Sequence, residues 1–223
     1  MRSEIGEAPD RFIAMVGRDL SELVRPLALS DRRAIYTIAR GSSDAAANVI
    51  AYEAMGVLGK PVTSLPPSVF SLGSGVYMGG ATGLIVSQSG ASSDLIKACA
   101  GVKSHGGNTI VITNTDGSPA SKIADITIDI SAGPEFAIPA TKSVICTIAA
   151  GMALLAAISP DYAKSCENAA RAMDTARDSE IPEPIMALKY PSSSGPGSMY
   201  WPMVTLSTIS VVCSSRERSI PIT

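Results

Sequence analysis

Two short segments of this chain gather small hydroxyl residues around a glycine: Ala39-Arg40-Gly41-Ser42-Ser43-Asp44 and Ser87-Gln88-Ser89-Gly90-Ala91-Ser92-Ser93-Asp94. Glycine lets a backbone turn tightly and approach a ligand closely. Serine hydroxyls and the free N–H groups at a helix start together donate several hydrogen bonds, which is the chemistry an oxyanion such as phosphate requires. Such a site needs no cation, and that suits a chain whose formal net charge is −2. The rival reading is helix capping, since Ser and Asp are favoured N-cap residues. Taken alone, Ser42 or Ser92 reads better as a cap. Two such loops on adjacent strands of one sheet favour the ligand.

Those loops need elements to hold them. Ala34-Ile35-Tyr36-Thr37-Ile38-Ala39 is short, apolar and stopped by Gly41, and reads as a buried strand. An Ala-rich helix over 44–58 follows, ending at Gly59 and Pro61. Further strands are expected over 61–65, 84–87, 109–113 and 126–130. Further helices are expected over 92–104, 141–158 and 162–177, with weak helix near Val69 and a short one over 118–123. Ile5, Phe12, Ile13, Val16, Leu20, Leu23 and Val24 recur at helical spacing and predict one opening helix over 3–29. Strands alternating with helices predict an α/β fold, a parallel sheet with helices on both faces. In such sheets ligands bind beyond the carboxyl ends of the strands, where both serine loops fall.

Composition narrows the function classes. Hydrophobic residues make up 46% and aromatics only 4%, so a substantial core must rest on Ala, Ile, Val, Leu and Met. No basic stripe accompanies the near-neutral charge, so no nucleic-acid partner is expected. Residues 143–160 carry no charge and touch the lower length limit for a membrane-spanning helix. Their Ser143, Thr147, Ser159 and Pro160, with much of the rest small residues, favour a buried core or dimer-interface helix, so no membrane partner is expected. Cys99, Cys146, Cys166 and Cys213 are scattered, with no CxxC pair and no histidine cluster, so neither a metal nor another cofactor is expected. Cys99 and Cys146 read as buried free thiols. Together with a charged start that lacks an apolar run, they fit a cytoplasmic protein. His105, the sole histidine, lies in a helix-to-strand turn at the far end of the sheet from the serine loops and reads as a surface residue.

Ser87-Gln88-Ser89-Gly90 followed by Ser92 and Asp94 resembles the SQSGxTxD-type signature of SIS (sugar isomerase) domains. Gly41-Ser42-Ser43 is similar to the G-[ST]-S loop of that family. Gly133-Pro134-Glu135 with Ala140-Thr141-Lys142-Ser143 resembles its GxE…ATK-type segment before a long helix. The resemblance spans roughly residues 1–180. Within the family it is strongest to the isomerase half of glutamine–fructose-6-phosphate aminotransferases and to stand-alone glucosamine-6-phosphate deaminases and isomerases. It implies a three-layer αβα sandwich with a five-stranded parallel sheet, a homodimer, and a hexose or aminohexose 6-phosphate as ligand. Carried over by position, Gly41, Ser42, Ser43, Ser87, Gln88, Ser89, Gly90 and Ser92 would bind the sugar phosphate, with Glu135 and Lys142 as supporting residues. Glu135 would contact the sugar or order its loop; Lys142 would attract the substrate or make a local ion pair. Ala140 stands where the aminotransferases carry a serine that touches the amino sugar.

Those relatives hold two SIS domains, and the second domain and its tail supply a glutamate, a lysine and a histidine for the chemistry. No second SQSG-like loop occurs here. Residues 181–223 instead carry scattered prolines and a Ser192-Ser193-Ser194-Gly195 run with no clean period. Two readings of this tail stay open: a truncated or frame-shifted product, or a native terminus in which Met199, Tyr200 and Trp201 anchor a partner. Three functions follow: a phosphosugar isomerase or aminosugar-phosphate deaminase, a sugar-phosphate-binding module without turnover, or a subunit that completes its site in a complex.

Overall fold

The computed structural model describes residues 2–136 and 140–177. The expectations for residues 181–223, including Met199, Tyr200, Trp201 and Cys213, lie outside the described residues. In chain order the elements are α1 (Arg2–Val16), α2 (Ser21–Val24), β1 (Ala34–Ile38), α3 (Ser42–Leu58), β2 (Val62–Ser64), α4 (Ser68–Ser71), β3 (Ala81–Val86), α5 (Ser93–Ser104), β4 (Asn108–Thr113), β5 (Ile126–Asp129), α6 (Lys142–Ile158) and α7 (Ala163–Arg177). The five strands form one parallel sheet in the order β2-β1-β3-β4-β5.

Both faces are covered, as the continuous apolar runs of β3 and β4 require. Ile35, Leu84, Val86, Ile110, Ile112 and Ile128 pack with Phe12, Met15, Ala47, Ile50, Leu154 and Leu155 from α1, α3 and α6. Ile38, Ile85 and Val111 face the other way, onto Leu95, Ala98, Cys99 and Val102 of α5. Helix α6, uncharged beyond its first residue Lys142, is buried along most of its length, which makes it a core helix. Among the described residues no helix is long and apolar enough to cross a membrane. Burial pushes the thiols of Cys99 and Cys166 up to about 11 and that of Cys146 up to about 12, so all three are inert core side chains at neutral pH.

Two elements differ from their sequence expectation. The helix over 3–29 is broken: α1 ends at Val16 before Gly17, and Asp19 Oδ1 accepts the Ser21 amide at 2.9 Å to start α2. Two 3-10 turns then follow around Ala28, which is left-handed at φ 44°. The periodicity survived because both pieces pack on the same core. Residues 118–123 form turns and no helix. There the Ala120 amide is taken by Gly90 O at 3.0 Å and the Ser121 amide by Ser118 Oγ at 3.3 Å, which leaves only isolated helical bonds such as Lys122 N to Ser118 O at 3.1 Å.

Under α3 and α6, the Thr82 hydroxyl is buried with no hydrogen-bond partner. A buried hydroxyl without a partner costs about 1–3 kcal/mol of desolvation. Thr82→Val keeps the shape and removes that cost. The expected result is a melting temperature equal to or above the parent's, and a marked fall would mean that the hydroxyl is bonded in solution.

Candidate functional site

β1 and β3 are neighbours in the sheet. The chain leaves β1 through α3 on one face and β3 through α5 on the other. Their carboxyl ends therefore flank the point where the strand order reverses, the crevice in which doubly wound sheets bind ligands. Both serine loops open here.

On one lip, Gly41 is the N-cap of α3 with φ 59° and ψ −135°, a conformation closed to residues with a side chain. Lacking a side chain, it leaves the first turn uncapped. Asp44 and Ala45 donate back to Gly41 O at 3.0 and 3.4 Å. The amides of Ser42 and Ser43 are orphan donors of a helix start. Among the described residues their hydroxyls make no hydrogen bond, so the capping reading does not consume them.

On the other lip, Ser87 is buried, and its Oγ accepts the Gly90 amide at 3.1 Å. Ser89 Oγ accepts the Ala91 amide at 3.3 Å. Both hydroxyl hydrogens remain available to donate. Gln88 is exposed, while its carbonyl is held by Asn114 N at 2.9 Å and Thr113 Oγ1 at 3.2 Å. Gly90 has φ 58°, and a Cβ there would run into the Ser118 side chain. Ser92 is the N-cap of α5, yet its side chain makes no capping bond. The serines thus form two sets of hydroxyl and amide donors on facing lips.

Two links around these loops were not visible in the sequence. Arg40 Nη1 donates to Asp94 Oδ2 at 2.7 Å, joining the first loop to the start of α5. That hydrogen bond holds the Asp94 carboxyl below its usual range, so it stays ionised. Asn114 bonds Gln88 O through its amide, accepts Ala132 N at 2.9 Å, and donates to Gly133 O at 2.8 Å. It thereby ties the second serine loop to the segment that leads from β5 to α6.

Glu135 and Lys142 lie on that segment, where their partners are protein groups. Glu135 Oε1 accepts Thr141 N at 2.7 Å and Thr141 Oγ1 at 2.9 Å, and Oε2 accepts from Ser143 Oγ. A carboxylate at the helix N-terminus complements its dipole, so Glu135 orders its loop. Lys142 is buried, and its Nζ donates to Glu7 Oε2 of α1 at 2.6 Å. Lys142 thus makes an ion pair with a partner 135 positions away in the chain. The Lys142 hydrogen bond, then its charge, hold the Glu7 carboxyl below its ordinary range. With the folded value depressed, the contribution is present above the unfolded glutamate value of about 4.3 and is lost as pH falls through the folded value. Acidification below pH 4 is therefore expected to loosen α1 from the loop before α6. Faster amide exchange over residues 2–16 reads this, and the acid step should be missing in Glu7→Gln.

His105 sits at the opposite end of the sheet. It is half-buried and not a free surface residue: its ring nitrogens lie 2.8 Å from Gly101 O and 3.0 Å from Ser74 O, and its edge meets Phe70.

The fold is thus a doubly wound α/β domain with a serine-bearing helix start on each side of its switch point. The family model described as the SIS domain matches residues 28–157. This chain belongs to that family. α1 and α7 lie outside the matched stretch. The glutamine–fructose-6-phosphate aminotransferase (isomerizing) of Shouchella clausii is 36% identical over 129 residues, which is 58% of this chain and 21% of the relative. That of Methanocaldococcus jannaschii is 34% identical over 145 residues, 64% of this chain and 13% of the relative. The chain thus spans about a fifth or less of the length of these curated relatives. A solved candidate phosphosugar isomerase from Silicibacter pomeroyi superposes with a TM-score of 0.75 at 34% identity, covering 82% of this chain and 57% of that one. Glucosamine-6-phosphate deaminase from Thermotoga maritima shares the fold, with a TM-score of 0.59 at 19% identity over 78% of this chain and 54% of that one.

Proposed function

We propose that the crevice between β1 and β3 binds the phosphate of a hexose or aminohexose 6-phosphate. The observation that carries this reading is the set of uncommitted donors. The hydroxyls of Ser42 and Ser43 and the first amides of α3 stand on one side of the switch point, and the hydroxyls of Ser87, Ser89 and Ser92 on the other. Gly41 and Gly90 give the backbone the turns that expose them, and Gln88 reaches the sugar side. The names of the relatives support a sugar phosphate over a bare anion. The binding unit in this reading is residues 1–180, assembled as a homodimer.

The reaction associated with such a site is aldose–ketose isomerisation, or deamination of glucosamine 6-phosphate. Both move a proton between adjacent carbons and need a base. A second reading, binding without turnover or with the base supplied by a partner, draws on one observation. Glu135 and Lys142 are engaged with protein groups, and His105 is at the far end of the sheet.

Thermal unfolding against fructose 6-phosphate, glucosamine 6-phosphate and inorganic phosphate tests the binding reading. A ligand at about 100 times its dissociation constant adds about 2.7 kcal/mol of stability. A shift with one sugar phosphate that exceeds the shift with inorganic phosphate is the expected outcome. A cooperative melt that none of the three moves would count against the reading.

A further inference from the structure

We infer that Arg40 and Asp94 form a latch that fixes the spacing of the two serine loops, so that both donor sets meet one phosphate. This rests on the proposed sugar-phosphate site and names positioning residues for it. Arg40 precedes Gly41 on the first lip, and Asp94 lies in the first turn of α5 on the second. Because α3 and α5 pack on opposite faces of the sheet, no shared core contact sets the gap between their N-termini. Among the described residues, the 2.7 Å bond from Arg40 Nη1 to Asp94 Oδ2 is the one side-chain hydrogen bond that spans the two loops. The Arg40 side chain is 69% exposed and that of Asp94 21%. An ion pair this open to water adds little to stability. Its distinctive consequence is geometric.

A merely electrostatic role makes a different forecast. If Arg40 served as a direct phosphate ligand, Asp94 would be its competitor, and removing that carboxylate would strengthen binding. A latch requires both partners. The test is titration calorimetry with fructose 6-phosphate, and separately inorganic phosphate, on the parent, Arg40→Ala, Asp94→Asn, the double variant, and the exchange of the two residues (R40D with D94R). Amide exchange over residues 88–94 is recorded on the same five proteins. Each single change is expected to weaken binding of fructose 6-phosphate about tenfold, the loss that corresponds to about 1.4 kcal/mol. The double variant should be no worse than the weaker single one, the exchanged pair should regain part of the loss, and melting temperatures should hardly move. Binding by Asp94→Asn as tight as the parent's, or tighter, would overturn the latch. Should the parent bind neither probe, the sugar-phosphate reading fails on its own. The latch is then decided by exchange: faster exchange over 88–94 in both single variants, restored in the exchanged pair, supports it, and unchanged protection overturns it.

Discussion

Replacing Ser87 and Ser89 together by alanine is expected to abolish stabilisation of the protein by any sugar phosphate. The loss should reach at least a hundredfold in affinity, since a hydrogen bond to a charged group contributes about 1.5–3 kcal/mol and two are removed. The two serines play different parts. Ser89 is exposed and holds only the Ala91 amide, so its removal costs the fold little. Ser87 is buried and accepts the Gly90 amide, so Ser87→Ala also loosens the turn that presents the other donors. A small fall in melting temperature is therefore expected from Ser87→Ala and almost none from Ser89→Ala. Calorimetric titration of the unfolded fraction-corrected variants checks the binding loss. Affinity within threefold of the parent, in a variant that melts normally, would remove these hydroxyls from the site.

The second large effect is expected at Gly90. Its backbone is left-handed at φ 58°, and an added Cβ would meet the Ser118 side chain, itself buried beneath the loop. A non-glycine residue in that conformation costs about 1–2 kcal/mol, and overpacking a tight contact adds about 1–3 kcal/mol. Gly90→Ala should therefore destabilise the domain by about 2–5 kcal/mol and pull the loop away from the lip, with loss of ligand binding. The two causes separate experimentally. Adding Ser118→Gly to Gly90→Ala relieves the contact but leaves the backbone cost, so it should restore part of the stability. No recovery, measured against Ser118→Gly alone, would place the cost in the backbone and in the remaining contact with Thr113 Oγ1.

Much of the frame was legible because it is encoded locally. The apolar runs at 84–86 and 109–113 are continuous, as strands buried on both faces must be, and the structure extends the first of them back to Ala81. The serine loops were legible for a related reason. Small residues that serve both as turn formers and as hydrogen-bond donors stand out when two such runs each follow a strand and precede a helix. The helix break at Gly17 was hidden because α1 and α2 bury apolar residues on one core, and periodicity records burial more faithfully than continuity. Around the site, what escaped the sequence is what depends on distant partners. Lys142 gave no sign that Glu7 would meet it, nor Arg40 that Asp94 would; in both cases opposite charges sit on separate elements, and only the sheet order brings them together. The three bonds of Asn114 to Gln88 and to residues 132–133 appear only when β3, β4 and β5 stand side by side.

The role proposed for the crevice is open to direct observation by amide NMR of the labelled protein during titration with glucosamine 6-phosphate. If the phosphate sits between the two lips, the amides of Ser42, Ser43, Ser89, Gly90 and Ser92 shift together along one binding curve, while those around His105 at the opposite end of the sheet stay in place. Shifts centred elsewhere, or none at saturating ligand in a folded sample, would contradict a sugar-phosphate site at the carboxyl ends of β1 and β3.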